Sequence, residues 1–412
     1  MLGAIVFAAI AFRPSIAPLA DVQPAARFDP ATVRRGATLA SIGNCIGCHQ
    51  TADGAPWAGG VAIETPFGTV YGSNLSPDPA TGIGLWSEAA FRRAVREGVA
   101  RDGSHLYPAF PYDHYTQLTD ADIGALYAFL LTRDPVRQAV PANDLVFPLG
   151  FRPLLAGWKL LFLETGPRAA HANDRGTYLV DALAHCGGCH TPRNALGAEK
   201  KDEALAGGHA EGWYSPSLTR TSPSPVPWTR EALVAYLSTG LADDHALAGG
   251  PMQQAVAQLG QAPRADIESI ADTILARMGP PDDARRAREQ QARARAAALP
   301  AEPPPDDAAD AGRRVYVAAC AACHDHGRAV GSSGALQLPL AVALYEPTPE
   351  SLLRIVRHGI APLDGTGGRW MPAFGTGIGD ADLTALLVYL RRDQAGQPPW
   401  TDLAAPIEAS KR

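Results

Sequence analysis

The pentapeptide Cys45-Ile46-Gly47-Cys48-His49 recurs as Cys186-Gly187-Gly188-Cys189-His190 and as Cys320-Ala321-Ala322-Cys323-His324, and the three copies use all six cysteines of the chain. On a helical turn, cysteines three apart lie on one face. Both thiols can there form thioethers with the two vinyl groups of one haem while the adjoining imidazole reaches its iron. One such motif alone could be a thioredoxin-like redox pair or half of a zinc site. Three copies, each with histidine beside the second cysteine and no cysteine left over, point to three haems c with His49, His190 and His324 on the irons. A disulfide framework is disfavoured because haem would consume the thiols.

A chain of 412 residues fits about three domains of roughly 100 residues, one for each motif. A net charge of -6 offers no basic field of the kind that holds nucleic acid, so that class of partner is set aside. Leu2 to Phe12 is an unbroken apolar run, shorter than the roughly 20 residues that span a bilayer. Its length suits a signal-peptide core, although no Lys or Arg precedes it and Arg13 follows it. Residues 1–25 are read as an export or membrane-anchor segment, which agrees with haem attachment outside the cytoplasm.

Three features repeat around the motifs. A short helix leads into each, with Arg35-Gly36, Arg175-Gly176 and Ala311-Gly312 at its start. A second helix follows in a fixed frame, from Trp86 to Gly98, Trp228 to Gly240 and Pro347 to Gly359, each ending twelve residues after it begins. Ser87, Thr229 and Thr348 are its expected N-caps and the glycines its C-caps. A third helix closes each repeat, at Leu118, Pro263 and Gly379, and Thr119 with Asp122 resembles a capping box. Little reads as strand, so the fold class is all-α.

The domains are expected at 26–134, 173–279 and 311–396, with a tail at 397–412. Within the linker 135–172, Leu154, Leu155, Trp158, Leu161 and Phe162 form one apolar helical face, expected to pack between the flanking domains or to dock on a membrane or partner. The segment 280–310, rich in Ala, Arg, Asp and Pro, reads as a solvated spacer.

The sixth iron ligand decides what each haem can do, since a methionine or histidine closes the iron and an empty position leaves it reactive. Only four methionines exist. Met371 lies between the second and last helices of the third repeat, and Met252 is read in the same place in the second; both are expected ligands, while Met278 is read as core. The first repeat has Phe110 there, 61 residues after His49 as Met252 is 62 after His190. Phenylalanine cannot ligate iron. The candidates are His114, favoured because imidazole is a common replacement ligand, then His105 or an open site. His245 is read as a solvated loop residue, His185 as lying near a haem edge, and His171, His209, His326 and His358 as surface or neighbouring groups. No nucleophile triad, phosphate loop or paired-carboxylate frame stands out.

GNCIGCH, AGGVAIETPFGTVYGSNLSPDPATGIGLWSEAAFRRAVREGV, RGTYLVDALAHCGGCHTPRN and RWMPAF resemble the membrane-associated triple-haem cytochrome c subunits of bacterial periplasmic dehydrogenases, over nearly the whole chain from Arg35 to Trp400. The resemblance implies three tandem class I cytochrome c domains and no substrate site of this chain's own. LYPAFPYDHYTQLTDADIGALYAFL and FPLGFRPLLAGWKLLFL look most like subunits that accompany molybdenum hydroxylases acting on aldehydes or N-heterocycles. Relatives serving quinoprotein alcohol dehydrogenases carry Met where Phe110 stands yet keep a histidine at the position of His105, which again favours His114.

The implied partners are subunits with molybdopterin and iron–sulfur clusters, and ubiquinone or a terminal oxidase as acceptor, on the periplasmic side of the inner membrane. The alternatives are a cytochrome subunit of a quinoprotein alcohol or flavoprotein gluconate dehydrogenase, a free-standing cytochrome, and a peroxidase-like multihaem enzyme using an open first haem.

Overall fold

The computed structural model describes residues 7, 10–51, 54–166, 174–299, 310–325, 335–362 and 370–411. They form two compact units. The first is Met1–Gly188 with Arg193–Lys200 and Gln261–Ile270, and the second is Cys189–Pro192, Lys201–Gly260 and Ala271–Arg412. The expected second domain, 173–279, contributes to both.

In the first unit, Asp29 caps the helix Pro30–Ile42 by accepting a hydrogen bond from Thr32 N at 2.9 Å, and Pro30 takes the first helical position, where a missing N–H is no loss. Gly36 therefore lies inside this helix and not at its start. It marks a crossing with the helix Asp120–Leu131: a β-carbon on Gly36 would stand 2.0 Å from Ala125 O and 2.6 Å from Phe129 Cβ. Thr119 caps the second of these helices through Asp122 N at 3.1 Å, as the capping box required. Leu39, Ile42, Ile123 and Leu130 are each at most 3% exposed, and burial of such a side chain contributes roughly 1.5–3 kcal/mol. Asp122 is also buried. It accepts from Arg35 Nε at 2.9 Å and from the Tyr178 hydroxyl at 2.5 Å, which ties the approach to the second motif onto the first repeat.

The linker folds onto this unit. Asp144–Leu145 adds a third strand to the antiparallel ribbon of Ala62–Thr65 and Gly68–Tyr71. In the helix Leu155–Phe162, Lys159 is the residue that turns inward. Its Nζ donates to the carbonyls of Glu97 and Gly98 at 2.6 Å each, closing the C-terminal end of the helix Glu88–Glu97. Leu161 is 70% exposed, so the expected apolar face is not the buried one. Carbonyls at a buried helix end need a donor, and the lysine supplies it.

In the second unit the crossing repeats. A β-carbon on Gly312, in the helix Ala311–Ala319, would lie 2.1 Å from Ala385 O and 2.7 Å from Tyr389 Cβ of the helix Asp380–Tyr389. The helix Asp283–Ala297 does not behave as a solvated spacer: Ala292 and Ala296 are buried in one core with Tyr316, Leu344 and Leu386. Small side chains let this helix approach closely. The rest of the spacer, 300–309, lies outside the described residues.

The second helix of each repeat is capped as expected by Ser87 and Thr229, and closed by Gly98, Gly240 and Gly359 at positive φ. Thr348 is an exception. Pro349 occupies the N-cap of Glu350–His358, and the Thr348 hydroxyl is buried with no partner among the described residues. The fold is helical with more strand than expected, since Gly208–Ala210 pairs with Trp213–Ser215 and Leu241–Ala242 with Ala246–Leu247. No helix among the described residues is long and apolar enough to cross a membrane.

Candidate functional site

Each pentapeptide begins or forms a short helix: Cys45–His49, Gly187–His190 and Ala321–His324. None of the six cysteines is in a disulfide. Burial first, then the neighbouring Cys48, pushes the Cys45 thiol up to about 12; burial, then Cys323 and Asp325, does the same at Cys320. A redox dithiol or a zinc site needs the opposite, a thiol that ionises readily. Neutral buried thiols beside a histidine suit thioether formation instead.

The three histidines share one hydrogen bond. Nδ1 of His49 donates to Ser73 O at 2.7 Å, Nδ1 of His190 to Pro216 O at 2.6 Å, and Nδ1 of His324 to Leu336 O at 2.8 Å. A carbonyl only accepts, so Nδ1 carries the proton and Nε2 of the neutral ring keeps its lone pair for a metal. Burial, the largest influence on all three, lowers their pKa and favours that neutral form. The donor set fits haem iron.

A short antiparallel bridge follows the closing glycine of the second helix in every repeat. Val99 pairs with His105, Leu241 with Leu247, and Ile360 with Met371. Leu106 N and Ala248 N bond back to Gly98 O and Gly240 O at 2.7 Å, so Phe110 and Met252 occupy the same place, four residues further on. Met371 does not. It stands on the hairpin rung itself, where the first repeat has His105, although it is as far in sequence from Gly359 as Met252 is from Gly240. Five residues separate the paired residues in the first two hairpins (100–104 and 242–246) and ten in the third (361–370), and the longer turn moves the methionine onto the rung. Met371 packs against the core that contains Cys320, and Met252 is half-buried in the first turn of Pro251–Leu259.

His114, the expected ligand, has both ring nitrogens hydrogen-bonded in this structure. Its Nδ1 bonds Asp181 O at 2.6 Å and its Nε2 bonds Glu199 Oε1 at 2.8 Å, so neither nitrogen is free for iron. The turn Tyr112–Tyr115 sends Tyr115 towards Cys45 and His114 away from it. His105 is equally engaged, with Ile10 O at 3.2 Å and Lys159 Nζ at 3.0 Å.

Burial alone would lower the pKa of His114. The Glu199 hydrogen bond, then the charges of Glu199 and Asp113 and the Asp181 carbonyl, override it and hold the ring up to about 9. Arg193, 3.8 Å from Glu199, and the ring of His185 complete the surroundings. A raised folded pKa stabilises fully below the unfolded value of 6.5 and is lost as pH rises through about 9. Between pH 7 and 10 the first unit is expected to lose on the order of 2–3 kcal/mol. Denaturant unfolding across that range checks this, and Glu199→Gln should flatten the dependence.

Three buried polar groups escaped the sequence reading. Lys159 has its pKa brought down to about 7 by burial and then by Arg13. His245, expected in solvent, is 2% exposed and stacks on Trp228 at 3.9 Å. Glu346 is 4% exposed, and burial raises its carboxyl to about 8. His209 and His358 are at the surface as expected, Met278 is in the core, and His171 and His326 lie outside the described residues.

The cytochrome c family matches residues 33–134, and the family described as cytochrome c oxidase, cbb3-type, subunit III matches residues 307–390. The chain is 36% identical over 401 residues to the gluconate 2-dehydrogenase cytochrome c subunit of Pantoea cypripedii, covering 92% of this chain and 88% of that one. It is 31% identical over 406 residues to the alcohol dehydrogenase (quinone), cytochrome c subunit of Gluconobacter oxydans, covering 92% and 82%. To a nicotinate dehydrogenase subunit of Pseudomonas putida it is 41% identical over 407 residues, covering 96% of this chain and 33% of that protein; the chain spans about a third of this relative's length.

Proposed function

The chain belongs to the family of cytochrome c subunits of dehydrogenases, and we propose that it relays electrons out of such a complex through three haems c in three repeats at 26–134, 173–279 and 311–396. The observation that carries this reading is the hydrogen bond from each pentapeptide histidine to a backbone carbonyl, made three times over. Covalent haem c supplies an iron that takes up and gives back one electron at a time. The protein's part is to fix it. Cys45 and Cys48, Cys186 and Cys189, and Cys320 and Cys323 would form the thioethers, and His49, His190, His324, Met252 and Met371 would supply ligands to the irons. Among the described residues the first repeat presents no free donor at the equivalent place.

The electron source in this reading is a periplasmic dehydrogenase of the molybdenum hydroxylase type, with molybdopterin and iron–sulfur subunits. What supports that choice is the resemblance of LYPAFPYDHYTQLTDADIGALYAFL and FPLGFRPLLAGWKLLFL to subunits that accompany molybdenum hydroxylases, beside a 41% identity to the nicotinate dehydrogenase subunit over 96% of this chain. Electrons leave to ubiquinone or a terminal oxidase, and the chain sits at the periplasmic face of the inner membrane.

Mass spectrometry of the denatured chain expressed with haem-attachment machinery tests the count. Three covalent haems are expected, and the double substitution Cys320→Ser, Cys323→Ser should remove one; a native mass with two haems would overturn the reading. For the partner, co-purification with molybdenum-containing subunits is expected. Recovery with a quinoprotein or flavoprotein subunit would replace the molybdenum assignment with one of its rivals, and recovery of the chain alone in low salt and mild detergent would favour a free-standing cytochrome.

A further inference from the structure

We propose that the stacked side chains of Tyr115 and His185 are the contact through which an electron passes between the haem held at Cys45–His49 and the haem held at Cys186–His190. The proposal rests on the reading of both pentapeptides as haem sites. In the first unit the first attachment point and the residues that lead into Cys186 are brought together by a short series of contacts. The Tyr115 hydroxyl lies within hydrogen-bond reach of the Cys45 thiol and donates to Gly43 O at 3.3 Å. Its ring lies nearly parallel to the His185 imidazole, 17° apart with centroids at 5.5 Å. His185 is bonded in sequence to Cys186. The backbone beneath is equally close, since a β-carbon on Gly43 would stand 3.3 Å from Leu183 O and 3.4 Å from Cys45 Sγ.

The backbone places these rings. Asn44 and His185, the residues before the first cysteine of each motif, both adopt the left-handed conformation, at φ 47° and 41°. That conformation is disfavoured in a residue with a side chain, and asparagine tolerates it best. The second motif uses a histidine there, whose ring lands on Tyr115. Tyr115 is itself held from behind by Phe110 at 5.5 Å, and His185 is met edge-on by His114 at 6.4 Å. Stacked aromatic rings tolerate little sliding once flanked on both sides. The Glu199 bond that removes His114 from iron chemistry thus also fixes one wall of this junction.

Electronic coupling between two irons falls steeply with the gap between their ligands and falls less through atoms in van der Waals contact. A pair of rings linking the two cysteines shortens that gap. The step balances simply: one electron leaves a ferrous iron and arrives at a ferric one, and no bond or proton is exchanged. Protein side chains contribute position, and the cofactors contribute the redox change.

The test uses the purified, haem-loaded full chain. Exchange between the two haems is followed optically after photoreduction by a ruthenium complex, with haem content and midpoint potentials measured alongside. Tyr115→Leu and His185→Leu are expected to lose most of the fast exchange phase while haem content and potentials hold. His185→Phe, which keeps a ring and leaves the Tyr115 hydroxyl in place, should retain it. His185→Gln is the milder variant if a leucine chain fails to load haem, and it too should lose the phase. Exchange as fast in the ring-deleted variants as in the parent, or a parent with no fast phase, would overturn the junction. A parent chain lacking haem at either motif would instead overturn the haem reading beneath it.

Discussion

Gly36→Val is expected to lower the midpoint of thermal unfolding of the haem-loaded protein by on the order of 10 °C, with fewer chains carrying haem at the first motif after maturation as the visible consequence. The β-carbon alone would stand 2.0 Å from Ala125 O, a backbone atom that cannot rotate aside, and 2.6 Å from Phe129 Cβ. The helices Pro30–Ile42 and Asp120–Leu131 must then separate, and Leu39, Ile42, Ile123 and Leu130 lose part of their burial together. Overpacking costs roughly 1–3 kcal/mol where side chains can yield, and this site offers only backbone to yield. Gly312→Val should do the same at the third repeat, where the corresponding distances are 2.1 and 2.7 Å. Circular dichroism melts together with haem stain of the denatured chain measure both effects. A valine variant that melts with the parent would show that the crossing can open at no cost.

What the sequence disclosed and what it hid divide by the range of the interaction. The cysteine–histidine spacing, the Ser87 and Thr229 caps and the closing glycines act within a few residues and could be read from the chain alone. Thr348 failed as a cap because Pro349 had already taken the position. Partners distant in sequence were invisible. His114 finds Glu199, 85 residues away, and Lys159 reaches Glu97 O, 62 residues away. The engagement of that imidazole and the inward turn of that lysine therefore left no mark on their neighbours in the chain. The alanines of Asp283–Ala297 gave no apolar signal beside their arginines, yet their small size is what admits the helix to the core.

The same comparison of hairpins leads to the spin state of the first haem. In the oxidised protein that haem is expected to be high-spin beside low-spin companions, and Phe110→Met is expected to make it low-spin and raise its reduction potential. Phe110 stands where Met252 stands, at the same distance from the same bond back to the closing glycine, but a phenyl ring offers no lone pair. The two imidazoles of that loop are both committed, His114 to Asp181 and Glu199, and His105 to Ile10 and Lys159. A thioether opposite the histidine closes the iron and favours its reduced state, which fixes the direction of the potential shift. Electron paramagnetic resonance of the oxidised chain and carbon monoxide titration of the reduced chain read the two halves separately. The parent should bind carbon monoxide at a single haem and the methionine variant at none. A parent that is low-spin throughout would place a donor from another part of the chain across from His49, and a variant that stays high-spin would show that position 110 does not face the iron.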